Sequence, residues 1–137
     1  MVKEANSKES IVNSNKRTIK NFTNLDAWRV SHQVTISIYN LTKKFPRQEL
    51  FGLTSQLRRA ASSTTANIAE GWGRYHFADK IRFYYQARGS SSEVQNFLIL
   101  AKDLKYCTQE DFQKTMQVVM DSFRLINGLI RSIEKQK

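Results

Sequence analysis

One proline and five glycines in 137 residues leave this chain few places to turn. A β-sandwich needs turn residues about every 8 to 12 positions, and an α/β domain needs them at each strand end, so the shortage favours a few long helices. Apolar spacing agrees. Ala27, Ser31, Val34, Ile38, Leu41 and Phe45 recur in steps of three and four, which is one helical face. Leu50, Leu53, Leu57, Ala60, Thr64 and Ile68 make a second face. Phe83, Ala87, Ser90, Val94, Phe97, Ala101 and Leu104 make a third, and Phe112, Met116, Val119, Phe123, Ile126, Ile130 and Ile133 a fourth.

Start and stop signals divide these faces. Thr23 and Asp26 have capping-box-like spacing ahead of the first helix. Phe45-Pro46 ends it, because the residue before proline is pushed away from helical angles. The second helix stops at Gly71-Trp72-Gly73, where glycine can supply the left-handed angles of a helix terminus. Thr108, with Glu110 and Asp111 behind it, suits the start of the fourth helix. The prediction is an all-α fold: an antiparallel up-down-up-down four-helix bundle over residues 23–137. Residues 1–22 are predicted to be a flexible basic arm, because they are rich in Asn, Ser and Lys and hold few apolar residues.

Chemistry is sparse. Cys107 is the sole cysteine, so no internal disulfide can form and a reducing compartment is the default. No apolar run approaches the roughly 20 residues that span a bilayer, and the N-terminal stretch lacks a signal-peptide core, so the expectation is a cytoplasmic protein without membrane contact. His32 and His76 lie far apart and outside any His-x-x-x-His or Glu-x-x-His pattern, which leaves no metal site to argue. Ser90-Ser91-Ser92 sits mid-helix, away from the strand-turn-helix setting of a serine nucleophile. Gly71 and Gly73 begin a dinucleotide-like pattern, but His76 occupies the third glycine position. Neither a cofactor nor an enzymatic activity is expected.

What remains is charge: 22 Lys and Arg against 12 Asp and Glu, a formal +10. Arg58 and Arg59, in the middle of the second helix, can lie along its surface and pair with Glu70 or a neighbouring carboxylate. They can equally meet phosphates, which the planar guanidinium binds in a bidentate manner. Asn67, one turn after Ser63, reads as a half-buried amide hydrogen-bonded within its helix. Phe77, Ile81, Tyr85 and Ile99 form a second apolar stripe opposite the seam of the third helix. Such a stripe suits a subunit interface or a platform for unstacked bases, although isolated exposed apolar residues are also common.

One long run is specific enough to resemble a known family. Phe45-Pro46, Glu49, Gly52-Leu53, Gln56-Leu57-Arg58-Arg59-Ala60-Ala61, Ser63 and Asn67-Ile68-Ala69-Glu70-Gly71, then Gly73-Arg74 and Gly89-Ser90-Ser91-Ser92-Glu93, resemble the four-helix-bundle proteins encoded in intervening sequences of bacterial large-subunit rRNA. That family is similar in fold to the accessory variability proteins of diversity-generating retroelements, which are homopentamers that bind nucleic acid and a reverse transcriptase. The resemblance implies a non-enzymatic homo-oligomer, a pentamer by the same likeness, that binds structured RNA or RNA/DNA, with a reverse transcriptase as a further partner. Candidate phosphate contacts are Arg58, Arg59, Arg74, Lys80, Arg82 and Arg88, with Lys16, Arg17 and Lys20 of the arm, and the candidate subunit interface is Phe77, Ile81, Tyr85 and Ile99. The rival expectation is a protein-interaction adaptor whose charge serves solubility or an acidic partner.

Overall fold

The computed structural model describes residues 18–136. Helix α1 spans Asp26–Thr42, α2 Leu53–Trp72, α3 Phe77–Asp103 and α4 Gln109–Glu134, with single 3-10 turns at Phe22–Asn24 and Arg47–Glu49. Each helix packs against the next, and α4 closes back onto α1. Chain order and ring order therefore coincide, as an up-down-up-down bundle requires.

The local signals moved in instructive ways. The N-cap of α1 is Leu25, which makes no side-chain bond, and the capping box sits earlier, where Asn21 Oδ1 accepts from Thr23 N at 2.8 Å and Asn24 Oδ1 from Asn21 N at 3.2 Å. Ile19 and Phe22 are partly buried against the cluster that holds Leu25. Most of the arm, with Lys16 and Arg17, lies outside the described residues. Leu50, expected on the second seam, is 48% exposed, because it belongs to the turn ahead of α2. Thr108 caps α4 as expected, accepting from Asp111 N at 3.0 Å.

Glycine does different work from that expected at the end of α2. No glycine among the described residues takes a positive φ; Gly73 sits at −75°. Gly71 instead permits close packing, since a Cβ there would lie 2.6 Å from Cε1 of the buried Tyr84. The left-handed position is Lys105, at φ 64°, where α3 ends. Its N–H bonds Lys102 O and that of Tyr106 bonds Ala101 O, both at 2.9 Å, closing the last turn in a Schellman arrangement.

The seam of α3 is rotated from the expected one. Ile81, Tyr84, Ala87, Ser90, Ser91, Val94, Leu98 and Ala101 are buried, while Phe83 and Phe97 are half-buried and Leu104 is exposed. Apolar residues lie on both sides of this helix, so spacing fits two phases equally well. Packing against α2 selects the phase that places Tyr84 over Gly71.

The core consists of two apolar clusters. One gathers Val34, Ile38, Leu41, Leu57, Leu98 and Val119 toward the end where α1 finishes. The other gathers Leu25, Ile68, Ile81, Tyr84, Ile126 and Ile130 toward the opposite end. Between them, every helix places small hydroxyls inward: Ser31, Thr64, Ser90 with Ser91, and Ser122 are all buried. Thr64 and Ser122 donate to the carbonyls of Ala60 and Val119, and Ser90 donates to Ser63 Oγ at 3.1 Å. Ser31 Oγ and Ser91 Oγ have no partner among the described residues.

Two outcomes test this packing. Gly71→Ala should lower stability by about 1–3 kcal/mol in a denaturant titration, because the Tyr84 ring must shift. Gly89→Ala should raise it by about 0.5–1 kcal/mol, since Gly89 lies exposed within α3 and a Cβ there meets nothing within 4 Å. At the other end, Glu49 accepts from Leu53 N at 3.0 Å and from the Tyr106 hydroxyl at 2.8 Å, and these bonds hold its carboxyl below the ordinary 4.5. A carboxylate shifted downward stabilises the fold above its ordinary value and loses that contribution as pH falls through the folded value. Melting temperature against pH should therefore drop on the acid side, and Glu49→Gln should flatten that drop.

Candidate nucleic-acid interface

The nine basic candidates do not converge on one patch. Of the seven described, six fall on three surfaces and one helix cap, and Lys20 stands apart ahead of α1.

The first surface is α2. Helical geometry turns consecutive residues about 100° apart, so Arg58 and Arg59 point to opposite flanks. Arg58 lies half-buried against α1, where its Nε donates to Thr42 Oγ1 at 2.9 Å and its guanidinium sits 4.6 Å over the Tyr39 ring. Arg59 is exposed and leans toward α3, with Gln56 Oε1 at 2.8 Å and Glu93 Oε2 at 3.8 Å. Glu70 does not pair with either; it holds Arg74 at 2.7 Å. Asn67 is half-buried as expected, its amide donating to Ser63 O at 2.9 Å.

The second surface lies between α3 and α4. Arg88 donates to Asn127 Oδ1 at 3.1 Å and covers the Tyr85 ring at 5.2 Å. The Tyr85 hydroxyl donates to Glu134 Oε2 at 2.9 Å, a bond that raises the hydroxyl's pKa. Exposed Arg131 extends this face one turn beyond Asn127, and composition alone did not single it out.

The third surface is the end of the bundle where α2 turns into α3. Arg74 and Arg82 both lie over the Phe83 ring, at 4.8 and 4.6 Å, so one half-buried side chain organises two guanidiniums. Arg74 pairs with Glu70, and Arg82 with Asp79 at 3.8 Å. Phe83 was expected to be core, and its place here follows from the rotated seam. Beside it, Tyr75 is 88% exposed, with the His76 ring edge-on at 5.0 Å. The run Arg74-Tyr75-His76 directly after Gly73 is the sequence signal for this surface.

Lys80 is the cap. Its ammonium donates to Trp72 O at 2.8 Å and Gly71 O at 3.3 Å and lies 5.3 Å over the Trp72 ring. Burial lowers its pKa, and its charge is spent on the last carbonyls of α2. Lys20 is exposed beside the first 3-10 turn.

The expected interface stripe splits in the same way. Ile81 is 5% exposed and Phe77 packs against the same apolar cluster, so both serve the single chain's own core. Tyr85 and Ile99 do face outward, at 41% and 45% exposure, with exposed Gly89 between them on the same side of α3. Among the described residues no helix is long and apolar enough to cross a membrane.

Replacement separates the two arginines of α2. Arg58→Gln should cost about 1–2 kcal/mol in a thermal or denaturant melt, because it removes a hydrogen bond and a ring contact. Arg59→Gln should stay within about 0.5 kcal/mol of the parent, as exposed pairs contribute little.

Residues 23–128 match the family of 23S rRNA-intervening sequence proteins. Among solved structures, a protein of unknown function from the S23 ribosomal protein family of Bacteroides thetaiotaomicron shares the fold with a TM-score of 0.68 at 22% identity. The likeness covers 76% of this chain and 97% of that one. No curated protein matches the chain.

Proposed function

The chain belongs to the 23S rRNA-intervening sequence protein family, and on that premise we propose that it is a non-enzymatic, homo-oligomeric four-helix bundle that binds structured RNA. One observation carries this reading: four guanidiniums, from Arg58, Arg74, Arg82 and Arg88, lie over three rings at or near the surface. A guanidinium laid over a ring is preorganised and still presents an N–H edge to solvent, the geometry that grips phosphate oxygens. The surplus of positive charge supplies the sequence-independent part of the attraction.

Self-association is part of the proposal. The outer face of α3 carries Tyr85 and Ile99, 41% and 45% exposed in the single chain, and covering such apolar surface favours association. Symmetry would then repeat each arginine surface around a closed ring, five-fold by the resemblance to the accessory variability proteins. The same likeness makes a reverse transcriptase the further partner, and the genes beside this one distinguish a retroelement setting from an rRNA one. The adaptor reading draws support from Phe51, 93% exposed, with Leu50 and Leu104 also exposed.

Light scattering behind a sizing column should give an oligomer mass at low micromolar concentration. Tyr85→Asp with Ile99→Asp should return monomers of unchanged helicity, whereas Ile81→Asp should unfold the chain, because its charge would be buried. Binding isotherms at several salt concentrations should show log affinity falling with log salt. Each phosphate contact removed should lower that slope by about 0.7 to 0.9, with Arg59→Gln and Arg88→Gln as first variants. A monomer at every salt would overturn the assembly, and an RNA affinity independent of salt would favour the adaptor.

A further inference from the structure

We propose that the turn joining α2 to α3 is a stacking site for an unpaired RNA base, with Tyr75 as the stacking surface and Arg74 and Arg82 as its phosphate contacts. The inference rests on the RNA-binding reading above and assigns it a place and a ligand class.

Tyr75 is among the most exposed large side chains of the described chain, at 88%. Its aromatic contact is His76, which meets it edge-on at an interplanar angle of 84° and a centroid distance of 5.0 Å, an arrangement that leaves ring surface uncovered. An aromatic ring so placed contributes little to the fold, and its π-face is available to any flat partner. The polypeptide holds it in place nonetheless. Arg74 N bonds Gly71 O at 3.2 Å ahead of Tyr75, and Lys80 N bonds His76 O at 3.0 Å behind it, so the backbone is tied down on both sides of the residue.

Charge sits where a nucleotide's backbone would lie. Arg74 precedes Tyr75 directly, and Arg82 shares the Phe83 ring with it, which holds two cations at one edge of the turn. Their carboxylate partners, Glu70 and Asp79, are about half exposed, at 52% and 45%, so these pairs are weak and phosphate can replace them at small cost. An aromatic surface flanked by guanidiniums is the recurring solution for single-stranded nucleic acid, because every base has a π-face whereas a paired base hides its own within the stack. The occupant is therefore an unpaired base of a loop, a bulge or a strand end. A duplex would meet the arginines alone.

The test uses the full-length protein and two RNA probes: a stem-loop with 2-aminopurine in its loop, and a blunt duplex of matched length. Tyr75→Ala should weaken stem-loop binding about tenfold, abolish the 2-aminopurine quenching and leave duplex affinity and melting temperature unchanged. Tyr75→Phe should restore both binding and quenching, since stacking needs the ring and not the hydroxyl. The pair Arg74→Gln, Arg82→Gln should lower the salt slope for the stem-loop by about 0.7 per lost contact. Equal effects of Tyr75→Ala on both probes, or none on either, would overturn the stacking site while leaving RNA binding in place. Failure of the parent protein to bind either probe would overturn both readings together. Displacement of the stem-loop by an acidic peptide, with 2-aminopurine unquenched throughout, would assign the turn to a protein partner instead.

Discussion

The approach of α2 to α3 at Gly71 controls much of what this bundle presents. With no Cβ at residue 71, the Tyr84 ring lies against the α2 backbone, and Tyr84 in turn sets which side of α3 faces inward. Once that side is chosen, Lys80 reaches the last carbonyls of α2, and Phe83 is carried out of the core to a margin where two arginines cover it. One steric allowance thus determines a helix phase, a helix cap and a charged surface. Interiors packed to crystal-like density allow few other ways to seat a tyrosine ring there.

Helix number, order and most of the core were legible from spacing, because α1, α2 and α4 each carry one dominant apolar face, even though Ile36 and Tyr39 of α1 point outward. Ser31, Val34, Ile38 and Leu41 are buried as the steps of three and four imply. Helix α3 was not legible in the same way. Phe77, Ile81, Tyr85 and Ile99 compete with Phe83, Phe97 and Leu104 for the inner face, and periodicity cannot choose between two apolar sides. Only the neighbour across the interface decides, and that contact joins residues far apart in sequence. The glycines show a related limit: sequence marks where glycine occurs, but not whether its missing side chain serves a turn or a close approach.

The candidate arginines were legible as a set but not by role. Arg58 and Arg59 are adjacent and chemically identical, yet one is bound to Thr42 beneath the Tyr39 ring and the other lies in solvent beside Gln56 and Glu93. Lys80 looked equivalent to its neighbours until its ammonium was found on backbone carbonyls. Such differences arise from which flank of a helix a residue occupies and what stands opposite, so charge counts overstate the cation surface open to a ligand. Tyr75 was missed for the converse reason: patterns built to find cores pass over an aromatic residue in a turn.

The buried hydroxyls at mid-height carry a consequence for how the molecule moves. Ser31, Thr64, Ser91 and Ser122 separate two apolar clusters, and hydroxyl-lined contacts bind the halves less tightly than hydrocarbon would. Cooperation between the halves then runs chiefly through four continuous helical backbones. Amide exchange should resolve two units of unequal protection that open at different free energies. The end bearing Tyr75 and the end bearing Glu49 are then coupled by backbone more than by side-chain packing.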